Sequence, residues 1–117
     1  MAQTTGQRDQ HARDVGRRQS LFREVNERIE ELAESFRLHE DMMMLCECGF
    51  EGCNERIALS AVEYENLRLI PTHFAVLPGH EIPDVERVVE EHPRYVVVEK
   101  LGEAAVAAIK LDPRRRV

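Results

Sequence analysis

The sequence predicts an α+β domain: a small antiparallel or mixed sheet of four to five strands, an N-terminal amphipathic helix and a zinc-knuckle-like turn. Three observations carry this reading. Apolar residues recur at helical spacing over 21–36. Four or five short β-branched or alternating runs are separated by turn signals. Three cysteines and two glycines are packed into Cys46–Cys53. Strand runs and helical patterns interleave without a regular βαβ repeat, which suits α+β rather than a parallel sheet.

Residues 1–19 are polar and aperiodic, and Gly6 and Gly16 interrupt any helical pattern there. Arg8, Arg13, Arg17 and Arg18 outnumber Asp9 and Asp14, so this stretch predicts a locally basic, solvated, disordered tail. Ser20 is a good N-cap, and Leu21, Phe22, Val25, Ile29, Leu32 and Phe36 follow at spacings of three and four. That stripe is expected to pack on the chain's own sheet. Self-association or a protein partner through the helix at 21–36 is the alternative.

Asp41–Glu47 reads as a strand entering the cysteine turn, with Met42, Met43 and Met44 filling core gaps. Glu55–Leu59 is a second strand, with Ile57 and Leu59 on one face. Ser60-Ala61-Val62-Glu63 is a capping box, S-x-x-E, opening a helix with Ala61, Tyr64, Leu67 and Ile70 inward. Pro71 ends it, because the residue before proline is pushed out of the helical region. His73–Leu77 is a third strand, and Pro78-Gly79-His80 is a turn. Val85–Glu91 and Tyr95–Leu101 form a hairpin around His92-Pro93-Arg94. Glu90, Glu91 and His92 read as a solvated edge. Glu103–Lys110 is a helix closed by Asp112-Pro113, and 113–117 is a basic tip. The expected organisation is one metal-binding domain over 20–112 between two basic ends.

Composition narrows the function. The 117 residues carry 16 Lys+Arg against 22 Asp+Glu, a net charge of −6, with 5% aromatics and no Trp. An acidic chain poor in aromatic stacking residues argues against nucleic acid, and weak contact through the basic ends is the alternative. No apolar run approaches the roughly 20 residues that span a bilayer, and the N-terminus lacks a signal-like apolar region. The expected location is cytoplasmic. No nucleophile elbow, P-loop or H-E-x-x-H motif is present, and the expectation is a protein that is not an enzyme.

The chemistry lies in Cys46, Cys48 and Cys53, spaced C-x-C-x4-C, with Gly49 and Gly52 between the last two. An odd cysteine count opposes a disulfide framework. Glycine permits the sharp reversal that brings three thiolates to one centre. Zinc takes four ligands in a tetrahedron, so three sulfurs leave one ligand to be found elsewhere. A redox role for the thiols is the main alternative.

The C-x-C-G-x3-C pattern of Cys46, Cys48, Gly49 and Cys53 resembles the post-SET zinc motif at the end of many lysine methyltransferases. That resemblance covers eight residues and implies only its logic of three thiolates plus a distant fourth ligand. No methyltransferase body fits in this chain. On a larger scale, Phe22–Asp112 resembles a family of short uncharacterised bacterial proteins. The resemblance rests on CECG with Cys53, Ile57 and Leu59, Glu63–Glu65, Phe74 and Val76, Pro78–Glu81, Glu86–Glu90 and Val96–Glu103. It implies no activity, but it makes Pro-Gly-His a recurring companion of the cysteine segment.

His80 is the favoured fourth ligand, since its turn returns to the cysteine end if the third strand runs antiparallel to the second. His73 and His39 are the alternatives. His11 lies in the tail, His92 in a distant turn, and Glu47 and Glu51 are weaker ligands for a thiolate-rich site. The expected cofactor is Zn2+ bound by Cys46, Cys48, Cys53 and His80. The expected function is a zinc-stabilised protein-interaction or regulatory module. The alternatives are a thiol-based redox sensor that releases zinc on oxidation and a weak nucleic-acid binder.

Overall fold

A computed structural model describes residues 5–35 and 41–114. Its elements run α1 (Thr5–Ser35), β1 (Met42–Leu45), β2 (Arg56–Leu59), α2 (Ala61–Arg68), β3 (His73–Val76), β4 (Glu86–Glu91), β5 (Val96–Lys100) and α3 (Gly102–Lys110). The α+β class is as expected. The five strands, however, form two antiparallel sheets instead of one: β1-β2 and β3-β5-β4.

The reason for the split lies just after Leu45. Cys46 N–H still reaches Glu55 O (2.9 Å), but Glu47 turns to the open edge of β3. There Glu47 N–H donates to Ala75 O (2.9 Å), and Ala75 N–H donates to the Glu47 carboxylate (3.1 Å). One residue thus satisfies the β3 edge that a pairing with β2 would have filled. The other side of β3 pairs with β5, with Phe74 opposite Val98 and Val76 opposite Val96.

Within the three-stranded sheet, β3 and β5 are buried on two faces, following the two-residue alternation of a strand. Ala75 and Val97 pack with Met42, Met44, Leu59 and Tyr64, from the small sheet and α2. Phe74, Val76, Val96 and Val98 pack on the other side with Cys46, Cys48 and Ala108. Met43, between two buried methionines, is exposed. The capping box of α2 is complete: Glu63 N–H donates to Ser60 Oγ (3.1 Å), and Ser60 N–H to the Glu63 carboxylate (2.9 Å). Tyr64 and Leu67 face inward as expected, whereas Ile70 is exposed. β4 is an outer strand, with exposed Glu90 and Glu91 and a bulge between Val88 and Glu90.

The N-terminal segment departs most from expectation. α1 begins at Thr5, so residues 5–19 are helical, and the expected disordered tail over 1–19 is corrected there. Val15 and Gln19 are fully buried. Gly16 permits close packing, since a Cβ there would lie 2.8 Å from Ala107 Cβ. The inward face of α1 carries Val15, Gln19, Arg23, Asn26, Glu30 and Ala33. The expected apolar stripe is only partly used. Phe22 and Ile29 are half-buried, but Leu21, Val25 and Leu32 are 58%, 39% and 59% exposed. Phe36 and His39 lie outside the described residues.

A polar face is buried because its partner surface is polar. Arg23 pairs with Glu47 (3.2 Å), both fully buried. Arg23 also donates to Pro71 O (3.1 Å) and to His73 O, and its guanidinium lies 3.5 Å from the centroid of the Phe74 ring. Asn26 Nδ2 completes the set on Glu47 (3.0 Å). A second buried pair joins Lys100 to Glu86, and Gln19 Nε2 donates to the same carboxylate (3.2 Å). Burial pulls the Lys100 pKa below its ordinary value, opposed by Glu86 beside it. Removing either partner of such a pair strands a buried charge.

Candidate metal centre

The site begins where β1 ends. Cys46 leaves the ladder and Cys48 follows one residue beyond Glu47, so both sulfurs lie on the Phe74–Val76 side of the sheet. The chain then reverses through Gly49 (φ +76°) and Gly52 (φ +82°), a conformation that side-chain-bearing residues rarely adopt. Cys53 N–H donates to Phe50 O (3.1 Å), closing the turn and returning the third sulfur. From the other direction, β3 ends at Val76 and the chain turns at Pro78-Gly79, with His80 N–H donating to Leu77 O (2.9 Å).

The ligand-type atoms of Cys46, Cys48, Cys53 and His80 all lie within 4.8 Å of one another. His80 Nδ1 is 3.7 Å from both Cys46 Sγ and Cys53 Sγ. Bonds of about 2.3 Å to sulfur and about 2.0 Å to nitrogen, at tetrahedral angles, put ligand atoms about 3.5–3.8 Å apart. The cluster therefore has nearly the spacing of a four-coordinate centre. Three sulfurs and one imidazole suit zinc or a similarly soft divalent ion, and not calcium or magnesium. Four protein ligands would complete the tetrahedron of such an ion.

The surroundings favour negative sulfur. Leu77 N–H donates to Cys46 Sγ (3.2 Å) and Phe50 N–H to Cys48 Sγ (3.4 Å). Hydrogen bonding from the Cys46 thiol, offset by burial and reinforced by the Phe50 amide, brings the Cys48 pKa down to about 5. The same proton sharing and burial push the Cys46 thiol up, and burial raises Cys53. A cation held by these sulfurs would supply positive charge that favours their deprotonated form. Cys46 and Cys48 are buried, whereas Cys53 and His80 are half-buried. The exposed Phe50 ring stands edge-on to His80, with centroids 5.6 Å apart.

The other candidates lie elsewhere. His73 Nε2 is 3.1 Å from a Glu99 carboxylate oxygen, and His73 shares the sheet face of Ala75, opposite that of Phe74. His92 stacks on Tyr95 at 4.5 Å. Glu47 is engaged by Arg23, and Glu51 is exposed. His80 reaches the sulfurs by a route different from the expected β2–β3 pairing. β3 is brought to the cysteine turn by Glu47.

Residues outside the motif hold the turn, and apolar periodicity gave no reason to single them out. Arg18 Nε donates to Gly49 O (2.7 Å) and Gln19 Nε2 to Cys48 O (3.1 Å). Asn26 exchanges two bonds with the Leu45 backbone, its Nδ2 donating to Leu45 O (3.0 Å) and its Oδ1 accepting from Leu45 N–H (2.8 Å). The available signal was the polar series Gln19, Arg23, Asn26 and Glu30 at helical spacing. No helix of the described residues is long and apolar enough to cross a membrane.

No family model, curated protein or solved structure matches the chain.

Proposed function

We propose that this protein is a small zinc-stabilised interaction or regulatory module, without catalytic activity, in which Cys46, Cys48, Cys53 and His80 bind one Zn2+. The convergence of three sulfurs and one imidazole nitrogen within 4.8 Å carries the reading. Closed thiolate-rich sites of this kind are structural, and at neutral pH they contribute about 10–16 kcal/mol in zinc-finger peptides. Partner contact is assigned to the outer face of α1, where Leu21, Val25 and Leu32 are exposed. A cytoplasmic setting would keep the thiols reduced.

Metal analysis of the purified full-length chain tests this reading. About one zinc per chain is expected, with a large loss of affinity in Cys48→Ser and His80→Ala and little change in His73→Ala. A zinc-free protein whose melting is unaffected by added zinc or by Cys48→Ser would refute it.

A half-buried Cys53 beside a thiolate-prone Cys48 also favours a second reading, a peroxide-responsive switch. Two thiols would give up two electrons to one hydrogen peroxide, forming one disulfide and two waters and freeing the ion. Zinc release at low peroxide doses supports it, and retention of zinc and free thiols removes it.

A further inference from the structure

The buried face of α1 and the cysteine turn meet through directional polar contacts. Over Arg18–Asn26, most of the polar contacts of α1 go to Leu45–Gly49, the segment that also carries two of the three sulfurs, while Arg23 also reaches Pro71 O and His73 O and Gln19 reaches Glu86. Arg18 and Gln19 bond the carbonyls of Gly49 and Cys48. Arg23 pairs with Glu47, and Asn26 bonds both Leu45 and Glu47. The fit also depends on close approach: a Cβ on Gly49 would lie 2.7 Å from Gln19 Cγ and 3.0 Å from Val15 Cγ1. The docking geometry therefore depends on the conformation of the cysteine turn.

Polar and apolar docking respond differently when a turn relaxes. An apolar helix face tolerates shifts in its partner, because burial is non-directional. Hydrogen bonds weaken steeply with angle, and a buried polar group that loses its partner carries an uncompensated desolvation cost. Gln19, Arg23 and Asn26 are well solvated once exposed, so a misfitting turn favours their return to water.

We propose that α1 reads the metal: filling the Cys3His site and seating α1 on Leu45–Gly49 are coupled, and loss of the ion loosens the helix before the three-stranded sheet. The inference rests on the metal-binding reading above and adds a regulatory consequence. Coupling is reciprocal, so weakening α1 docking must also weaken metal binding. Typical coupling corresponds to about 5–150-fold in affinity.

Hydrogen exchange on the full chain, with zinc and after chelation, is the first test. On removing zinc, amides of α1 from Arg13 to Glu30 should lose protection at least ~10-fold more than those of β5. Zinc affinity, measured by chelator competition, is the second. Gly16→Leu, which wedges α1 off Ala107 without touching the turn, should weaken binding about 5–150-fold. Arg18→Ala is a milder variant and should act in the same direction. Equal protection of α1 with and without zinc would overturn the proposal. So would loss of protection in all elements together, or unchanged affinity in both variants. If the wild-type chain binds no zinc, the underlying metal reading fails as well; if zinc binds and any of the preceding results is found, only the coupling fails.

Discussion

At Gly49 two demands fall on one residue. Its φ of +76° is strained for any residue with a Cβ, and the space a Cβ would enter is occupied by Gln19 and Val15. Gly52 shares the backbone demand, at φ +82°, but has nothing within 4 Å of the missing Cβ. Gly52→Ala should therefore cost about 1–2 kcal/mol from backbone strain alone. Gly49→Ala should cost clearly more, because Gln19 must also move. Urea denaturation of the two variants would check the difference, and equal losses would contradict it. The convergence of Cys46, Cys48, Cys53 and His80 was legible at this scale because turn chemistry is local. Glycines mark where the chain can reverse, and Pro78-Gly79 places His80 on a second turn. The path between the two turns was not legible, because it depends on Glu47 bonding β3 from a distant part of the chain.

Among the elements, α1 teaches most. Sequence periodicity predicted an apolar stripe packed on the sheet, yet three of its five described residues, Leu21, Val25 and Leu32, face outward. Amphipathic reasoning assumes an apolar partner surface, whereas α1 meets backbone carbonyls and a buried carboxylate. Gly16 argued for a break and instead lets the helix approach Ala107. Elements whose signals are local were read well: the α2 capping box, the β4–β5 hairpin and α3 all stand close to their expected limits. The Arg23–Glu47 pair allows a direct test of the polar docking. Arg23→Ala should destabilise by about 3–5 kcal/mol, since it leaves a buried carboxylate without its cation. Arg23→Met with Glu47→Gln should recover part of that loss, because the charge is removed and the amide still accepts from Ala75 N–H. A double-mutant cycle by denaturant unfolding measures the coupling. Simple additivity would show that the pair does not act as a unit.

For the molecule as a whole, the C-terminal segment fastens both outer helices. Arg114 reaches Glu27 (2.8 Å) and Glu30 (3.1 Å) on α1 and Glu65 on α2, while Arg68 pairs with Glu27 (2.6 Å) and Asp112. Arg114 of the expected basic tip is thus bound to carboxylates. Burial, together with a hydrogen bond and repulsion from Glu65, raises the Glu30 pKa from 4.5 to about 8; Arg114 opposes this and Glu27 adds to it. Between those values the folded chain retains a proton that the unfolded chain has released. Stability from this group is complete below about pH 4.5 and is lost as pH rises through about 8. Glu30→Gln cannot ionise, so its melting temperature relative to wild type should rise from pH 5 to pH 8. Thermal melts across that range would check it, and a constant difference would show that Glu30 does not titrate there.

The outer strand β4 has a consequence for the protein at high concentration. A flat outer strand offers unpaired amides and carbonyls to a neighbouring molecule and seeds stacked assemblies. Here the bulge between Val88 and Glu90 disrupts the flat ladder, and Glu90 and Glu91 bring negative charge to the rim. Two such rims brought together repel one another and match poorly, so molecules can crowd without zipping sheet to sheet along this side.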